Sequence, residues 1–403
     1  MNIATATPAA SRVERELVAS ATALIPILRA RSGETAALAK LPEATVADLK
    51  NARIFDMMVP GIYGGLQTSL RTLMEVIVQL ARGDGSVAWT VDLLSSGTWS
   101  AAALFPKSVT DVVFAPGGNA RVAGSMNLSN ATARRVDGGI LIEDGAWRFN
   151  SGAHHAGWDI LGFPVANQAG DGIDRINALV PISDVTLSND WDTSGLRGSG
   201  STSITVKDLF VPNERLVNLG KCLKEEYGAI HLQYEPLYQM PIVAVLAIKL
   251  VLPALGMAKA ALDLFVEKAA HRSIAFTPYD KQNEAVITHL QVAEASMKID
   301  MAELLLQRAA EEIDSIVSTG STATVAVRLR IRRDAGYANR LIWEAMDGLA
   351  SASGGSFASV ENGMNRIWQD VRVASLHGGA NSSTALELYG RVLCGLEPNT
   401  PLI

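Results

Sequence analysis

Cysteine is nearly absent: the 403-residue chain has two, Cys222 and Cys394, far apart in sequence. That excludes a disulfide framework and any thiolate metal spacing, no metal is expected, and a reducing cytoplasm fits best. Long basic runs are missing as well. The formal net charge is −6. The densest cationic cluster, residues 328–333 (RLRIRR), reads as a solvated helix face or a subunit contact, so no nucleic-acid partner is expected. The N-terminal stretch MNIATATPAASRVERELVAS lacks the apolar core of a signal peptide. No clean membrane span is found either: the apolar residues 240–264 are interrupted by Lys249, Pro253, Lys259 and Asp263 and read as a buried helix. No GxGxxG or GxxxxGK[ST] follows a strand, which leaves a Rossmann or P-loop site unsupported.

What is present is an ordinary globular composition, 48% hydrophobic and 19% charged, on a chain long enough for two or three structural units. Up to about Pro106 the pattern is helical: Leu17, Leu24 and Leu28, then Leu41, Val46 and Leu49, recur at helical intervals, and residues 70–80 and 86–104 continue it. Between about Ala115 and Val217 the texture changes. Clusters of Gly, Asp, Asn and Ser separate short apolar runs at 140–142, 147–149, 160–163, 177–180 and 203–206, which predicts a small barrel or sandwich. Residues 241–273, 283–318 and 322–351 then form three long periodic segments, as expected of an antiparallel bundle, and a last pair follows at 360–375 and 382–396. The expected fold class is α+β: helices in 1–114, a β unit in 115–220 and a helical bundle in 221–403.

Several motifs stand in a meaningful order along that frame. PGIYGG (60–65) is a turn, and GDGSVAW (83–89) opens a helix. WRFNSGAHHAGW (147–158) reads as a strand and its exit. WDTSGLRGSGSTSITVKDLFVP (191–212) sets hydroxyls, glycines and one Arg between a Trp and a strand that ends at Pro. NRIWQDVRVAS (365–375) is a helix that ends at His377-Gly378-Gly379. Together they resemble the acyl-CoA dehydrogenase fold over nearly the whole chain, with the 191–212 and 365–377 blocks the most specific. The resemblance implies that Ser199 and Ser201 face a flavin's phosphates, that Trp191 neighbours its ring, and that Ser125 and Asn127 cover it. It also implies Arg272 near a pyrophosphate, and a Gly354-Gly355-Ser356 loop reaching the ADP half of FAD in a neighbouring subunit, hence an oligomer, most often a tetramer. Small residues let a backbone come close to such a cofactor. Arg197 has two readings, a cofactor contact or a tie to a helix.

The dehydrogenases of that fold need a carboxylate base just after the C-terminal RD helix. Here that place falls on Gly378, which accepts no proton, and LPALGMAKAAL offers no carboxylate before Asp263 for the other usual position. A His at this helix end, with Ser151-Gly152 on the strand, is similar instead to the flavin-dependent monooxygenases of the same fold. That resemblance implies the oxygenase component of a two-component system. A reductase partner supplies reduced flavin (FAD favoured, FMN possible), O2 forms a C4a-hydroperoxide, and one oxygen atom passes to a small aromatic substrate. His377 is the expected catalytic residue, since imidazole donates and accepts near neutral pH. Ser151 is the expected neighbour of flavin N5. A helix cap is the other reading of His377. His154 and His155 are adjacent, so on a strand only one would face a site; they rank as entrance or structural residues.

The expected pocket helix, AWTVDLLSSGTWSAAALF, carries no His for a phenol oxygen. Trp89, Asp92 and Ser96 are its candidate pocket residues. An electron-rich neutral ring such as indole fits these better than a phenolate, with Asp92 accepting an N–H; a phenol stays possible. Two alternatives stay open: an acyl-CoA dehydrogenase with its base at Glu235 or Glu361, and a scaffold that has lost catalysis.

Overall fold

The computed structural model describes residues 11–125 and 131–403. Asn127 lies outside the described residues, and so does the side chain of Ser125. The chain runs from helices through strands back to helices. The first helices are α1 (Arg12–Leu38), α2 (Glu43–Asn51), α3 (Leu70–Gly83), α4 (Gly85–Leu104) and α5 (Lys107–Val113). Ser11 and Glu14 form a reciprocal capping box at the start of α1, which satisfies two otherwise orphaned N–H groups. Helix α3 turns one apolar face inward through Leu70, Leu73, Ile77 and Leu80. Helix α4 is buried almost all round, as befits a helix packed on every side.

The strands are β1 (Val122–Ser125), β2 (Thr132–Val136), β3 (Gly139–Asn150), β4 (Trp158–Ala166), β5 (Ile173–Pro181), β6 (Thr186–Leu187), β7 (Thr202–Pro212) and β8 (Leu216–Asn218). They form two four-stranded sheets, ordered β1-β4-β5-β8 and β2-β3-β7-β6. Each of the five strand-like runs lies in a strand. The shorter strands escape sequence reading because two to five residues hold too little alternation. Trp147 ties the sheets together: its indole N–H donates to the Gly162 carbonyl at 2.7 Å, and its ring meets Phe163 edge-on.

The remaining helices are α6 (Leu219–Cys222), α7 (Ile242–Lys249), α8 (Leu252–Ala269), α9 (Val286–Ser318), α10 (Val325–Ser351), α11 (Gly363–Ser375) and α12 (Ser382–Leu393). The stretch expected to be one helix from 241 to 273 is two, because Pro253 starts α8 within its first turn, where its missing N–H costs nothing. Ile242–Ala269 is apolar and long enough to cross a membrane, and 83% of its most apolar window is buried inside the protein. The RLRIRR cluster is not a solvated face. Arg328 pairs with Glu225 at 2.9 Å, Arg330 with Glu312, and Arg333 with Asp334 while lying over the Tyr389 ring.

Candidate active site

Helix α4 is the axis of the site. Asp84 caps it by accepting from the Val87 N–H at 3.0 Å. Thr90, Leu94 and Gly97 face the β sheets: a Cβ on Gly152 would meet Leu94 and Thr90, and one on Gly97 would strike the Val122 carbonyl. Asp92 and Trp99 face the C-terminal helices, Asp92 toward Lys249 of α7 and Trp99 toward the Leu237 carbonyl. By helical geometry, Trp89, Leu93, Ser96 and Ser100 share the face between, which looks along the seam.

Two backbone reversals bring the hydroxyls to Trp89. Strand β3 ends with Phe149 and Gly152 at positive φ (67° and 76°), which turns Ser151 toward α4. The loop before β7 reverses at Leu196 and Gly200 (φ 50° and 55°). Asp370 of α11 pins that loop by accepting from the Leu196 N–H at 2.5 Å, and Ser86 accepts from the Gly198 N–H at 3.1 Å. Gly198 admits no side chain there, since a Cβ would sit 2.3 Å from a Thr35 methyl. The outcome is one buried run. Trp89 Nε1 donates to Ser151 Oγ at 3.1 Å, Ser151 and Ser201 share a 2.7 Å bond, and Ser201 and Ser199 share another of 2.7 Å. One indole and three hydroxyl protons serve three bonds, so one hydroxyl proton is left for an acceptor outside the run. That spare donor, among groups already fixed by packing, fits the polar edge of a flavin ring.

His377 stands across Trp89, with ring centroids 6.0 Å apart. It does not cap α11, which ends at Leu376. Instead it starts the turn Gly378–Ala380, and its Nδ1 accepts from the Gly379 N–H at 3.1 Å. Nε2 therefore carries the proton in the neutral ring. The side chain is open to solvent yet closely surrounded by protein, as on a cleft wall, and that burial lowers its pKa. At neutral pH it presents a neutral N–H donor.

Other candidates lie apart from this run. His154 and His155 sit on a short helical turn, not on a strand. His155 Nε2 accepts from the Leu41 N–H, and burial first, then the charges of His154 and Arg121, bring its pKa to about 4. It ties the sheets to the first helices. Trp191 donates to the Leu196 carbonyl at 2.9 Å and meets Phe149 edge-on. Arg197 is half exposed and reaches the Thr193 carbonyl at 3.4 Å. Arg272 binds Gln282 and the carbonyls of Ala352 and Ser353, joining the end of α8 to that of α10. It lines a cavity of about 530 Å³ together with Ser353, Ser356 and Glu361. Gly354 and Gly355 are beside it in the chain, with open space where a Cβ would stand. The cofactor candidates thus divide into a hydroxyl group at α4 and a glycine-flanked cavity of mixed charge, with Arg272 and Lys268 beside Glu267 and Glu361, at the ends of α8 and α10. The two alternative bases are elsewhere: Glu235 accepts from Gln67, and Glu361 belongs to the Arg272 cavity.

Sequence reading missed Lys249 and the Asp370 pin on the loop before β7. Lys249 showed only as a charge in an apolar stretch, and Asp370 only as the acid of the RD helix. Lys249 Nζ is 3.5 Å from Asp92 Oδ1, and both side chains are almost wholly buried.

The chain matches the family model "Acyl-CoA dehydrogenase, C-terminal domain" over residues 248–382. It is 29% identical to the flavin-dependent monooxygenase oxygenase subunit HsaA of Mycobacterium tuberculosis, over 97% of this chain and 98% of that one. It is 26% identical to the FADH(2)-dependent resorcinol hydroxylase oxygenase component of a Rhizobium species, over 97% of each. Among solved structures it is similar to XiaF from a Streptomyces species in complex with FADH2 and glycerol, with TM-score 0.89, 30% identity, and 96% and 97% of the two chains covered.

Proposed function

From the premise that this chain belongs to the two-component flavin-dependent monooxygenases of acyl-CoA dehydrogenase fold, we propose that it adds one oxygen atom to a ring carbon of a small electron-rich aromatic compound. The observation that carries the reading is the buried Trp89–Ser151–Ser201–Ser199 run facing His377. Reduced flavin, when bound, supplies the electrons and the activated oxygen. The protein's task is to hold it dry and oriented. Ser151 and its two partners offer the spare hydroxyl proton to the ring edge. His377 offers Nε2–H across the cleft and manages a proton there. Trp89 walls the seam against water, and Leu93 and Ser96 line it.

FAD is the favoured flavin, because Arg272 and Ser356 in the 530 Å³ cavity suit a pyrophosphate and the adjoining glycines suit close backbone approach. That cavity serves a second copy of the chain, so a homo-oligomer, most often a tetramer, is proposed. Exposed Ile287, Leu290, Met297 and Leu304 on α9 support such packing. The relatives' designation as oxygenase subunit or component supports a reductase partner. Two rings meet the description. A phenol is supported by the resorcinol hydroxylase relative. An indole is supported by the absence of His from α4 and by the Asp92 carboxylate as an N–H acceptor.

The test supplies reduced FAD or FMN with ¹⁸O₂ to a panel of phenols and indoles and weighs the products. Products one labelled oxygen heavier are expected. Return of all reducing equivalents as hydrogen peroxide for every ring would overturn the reading, and failure to bind reduced flavin at all would favour a scaffold.

A further inference from the structure

The described structure has an unfinished piece beside the seam. Asp92 is fully buried and Lys249 nearly so. Their 3.5 Å separation is electrostatic contact without a well-formed hydrogen bond. Neither carboxylate oxygen nor the ammonium has a hydrogen-bond partner among the described residues. Such groups cost several kcal/mol each when buried without partners. Burial raises the Asp92 pKa to about 7 and lowers that of Lys249, so both are drawn toward neutrality.

Their position is as informative as their lack of partners. Asp92 lies one helical turn after Trp89, on the side of α4 adjoining the seam face. Lys249 ends α7, and the next residue, Leu250, packs against Gly379, which adjoins the His377 ring. The helix that carries Lys249 thus ends against the turn that bears His377, and Asp92 adjoins the seam face of α4 on the side away from the serine run.

We propose that Asp92 and Lys249 together form the anchor for a ring hydroxyl, so that the preferred substrate is a phenol. The proposal rests on the aromatic-oxygenase reading for the ring itself. Donors and acceptors decide the ligand. A net-neutral pair of one acceptor and one donor is completed by a group that both donates and accepts. A hydroxyl does so: its proton goes to Asp92 Oδ, and its oxygen accepts from Lys249 Nζ. An indole N–H satisfies Asp92 alone. A substrate carboxylate would satisfy Lys249 and be repelled by Asp92. The match holds whether the pair is ionic or neutral, because carboxylic acid and amine also donate and accept.

Binding can be read without turnover. 4-Nitrophenol reports its own ionisation by colour, and 4-nitroanisole has the same ring without the proton. Titration of each into the full-length protein, with and without FAD, is expected to give about tenfold or greater preference for the phenol, as for a hydrogen bond to a charged group. Lys249→Met and Asp92→Asn are each expected to erase that preference and the colour shift while leaving nitroanisole binding in place. Should a single variant fail to fold, the double variant D92N/K249M, which leaves neither charge unpaired, serves. Equal binding of the two probes to the wild-type protein would overturn the anchor and mean that only water completes the pair. So would a preference that survives K249M. Oxygenation of hydroxyl-free rings alone would sink the anchor but keep the oxygenase; phenol-selective binding without any oxygenation would do the reverse.

Discussion

Two polar regions flank the seam face of α4, and they are built on opposite plans. On the sheet side, Ser151, Ser199 and Ser201 satisfy one another and Trp89, and the loop that bears them is pinned by Asp370 and Ser86. On the bundle side, Asp92 and Lys249 are as deeply buried but unsatisfied. A satisfied network makes the core unique and rigid; an unsatisfied one persists where function requires it. The serine run therefore reads as a preformed wall. The ion pair reads as a site whose stability is incomplete until something binds.

The sharpest probe is His377, whose ring stands across Trp89. His377→Ala is expected to cut product formation by about a hundredfold or more, the usual scale for losing a proton-handling group, with thermal unfolding unchanged. Product yield measured per reduced flavin consumed checks this. Unchanged yield would remove His377 from the chemistry and leave the serine run as the site's only support.

Next in size is stability. Asp92→Ala leaves the Lys249 ammonium buried alone and is expected to cost about 3 kcal/mol, whereas the apolar double replacement D92L/K249M is expected to be neutral or stabilising. Ser201→Ala, at the centre of the serine run, is expected to cost about 2 kcal/mol because Ser151 and Ser199 both lose a partner. Denaturant unfolding separates the three. If the double replacement destabilises more than S201A, the contrast between the regions fails, and Asp92–Lys249 is a structural pair.

This contrast also marks what the sequence could reveal. The serines, Trp89 and His377 were legible because each stands in a motif of fixed local spacing. The α–β–α order was legible because hydrophobic period changes with element type. Lys249 was not, since its meaning depends on a helix 157 positions earlier in the chain pairing across the fold, and charge in an apolar run reads only as an interruption. The capping reading of His377 was assigned to the wrong element, since an N–H from the turn that follows claims its Nδ1. The split of one long helical segment at Leu250 was written in Pro253, whose first-turn preference outweighs unbroken hydrophobic period.

The smallest expected effect concerns Asp370, which pins the serine loop, and its neighbour Asp84 at the start of α4. Asp370 and Asp84 are both buried. Desolvation, then the charge of Asp84, raises the Asp370 pKa from 3.8 to about 7, and desolvation raises that of Asp84 to about 6. Arg366 and the N–H donors from Leu196, Val87 and Ser86 offset only part of this. A carboxyl with a raised pKa holds its proton more tightly folded than unfolded. Its contribution to stability is complete below about pH 4 and is lost as pH rises through about 7. Asp370→Asn keeps an oxygen for the Leu196 N–H and removes the charge. It should therefore flatten the fall in stability as pH approaches 7, gaining about 1 kcal/mol on wild type across the single unit from pH 6 to 7. Parallel wild-type and variant curves would mean that Asp370 stays ionised across this range. The loop would then be held by a charged acceptor, and the serine wall would be as dependent on a buried charge as the pair on the other side of α4.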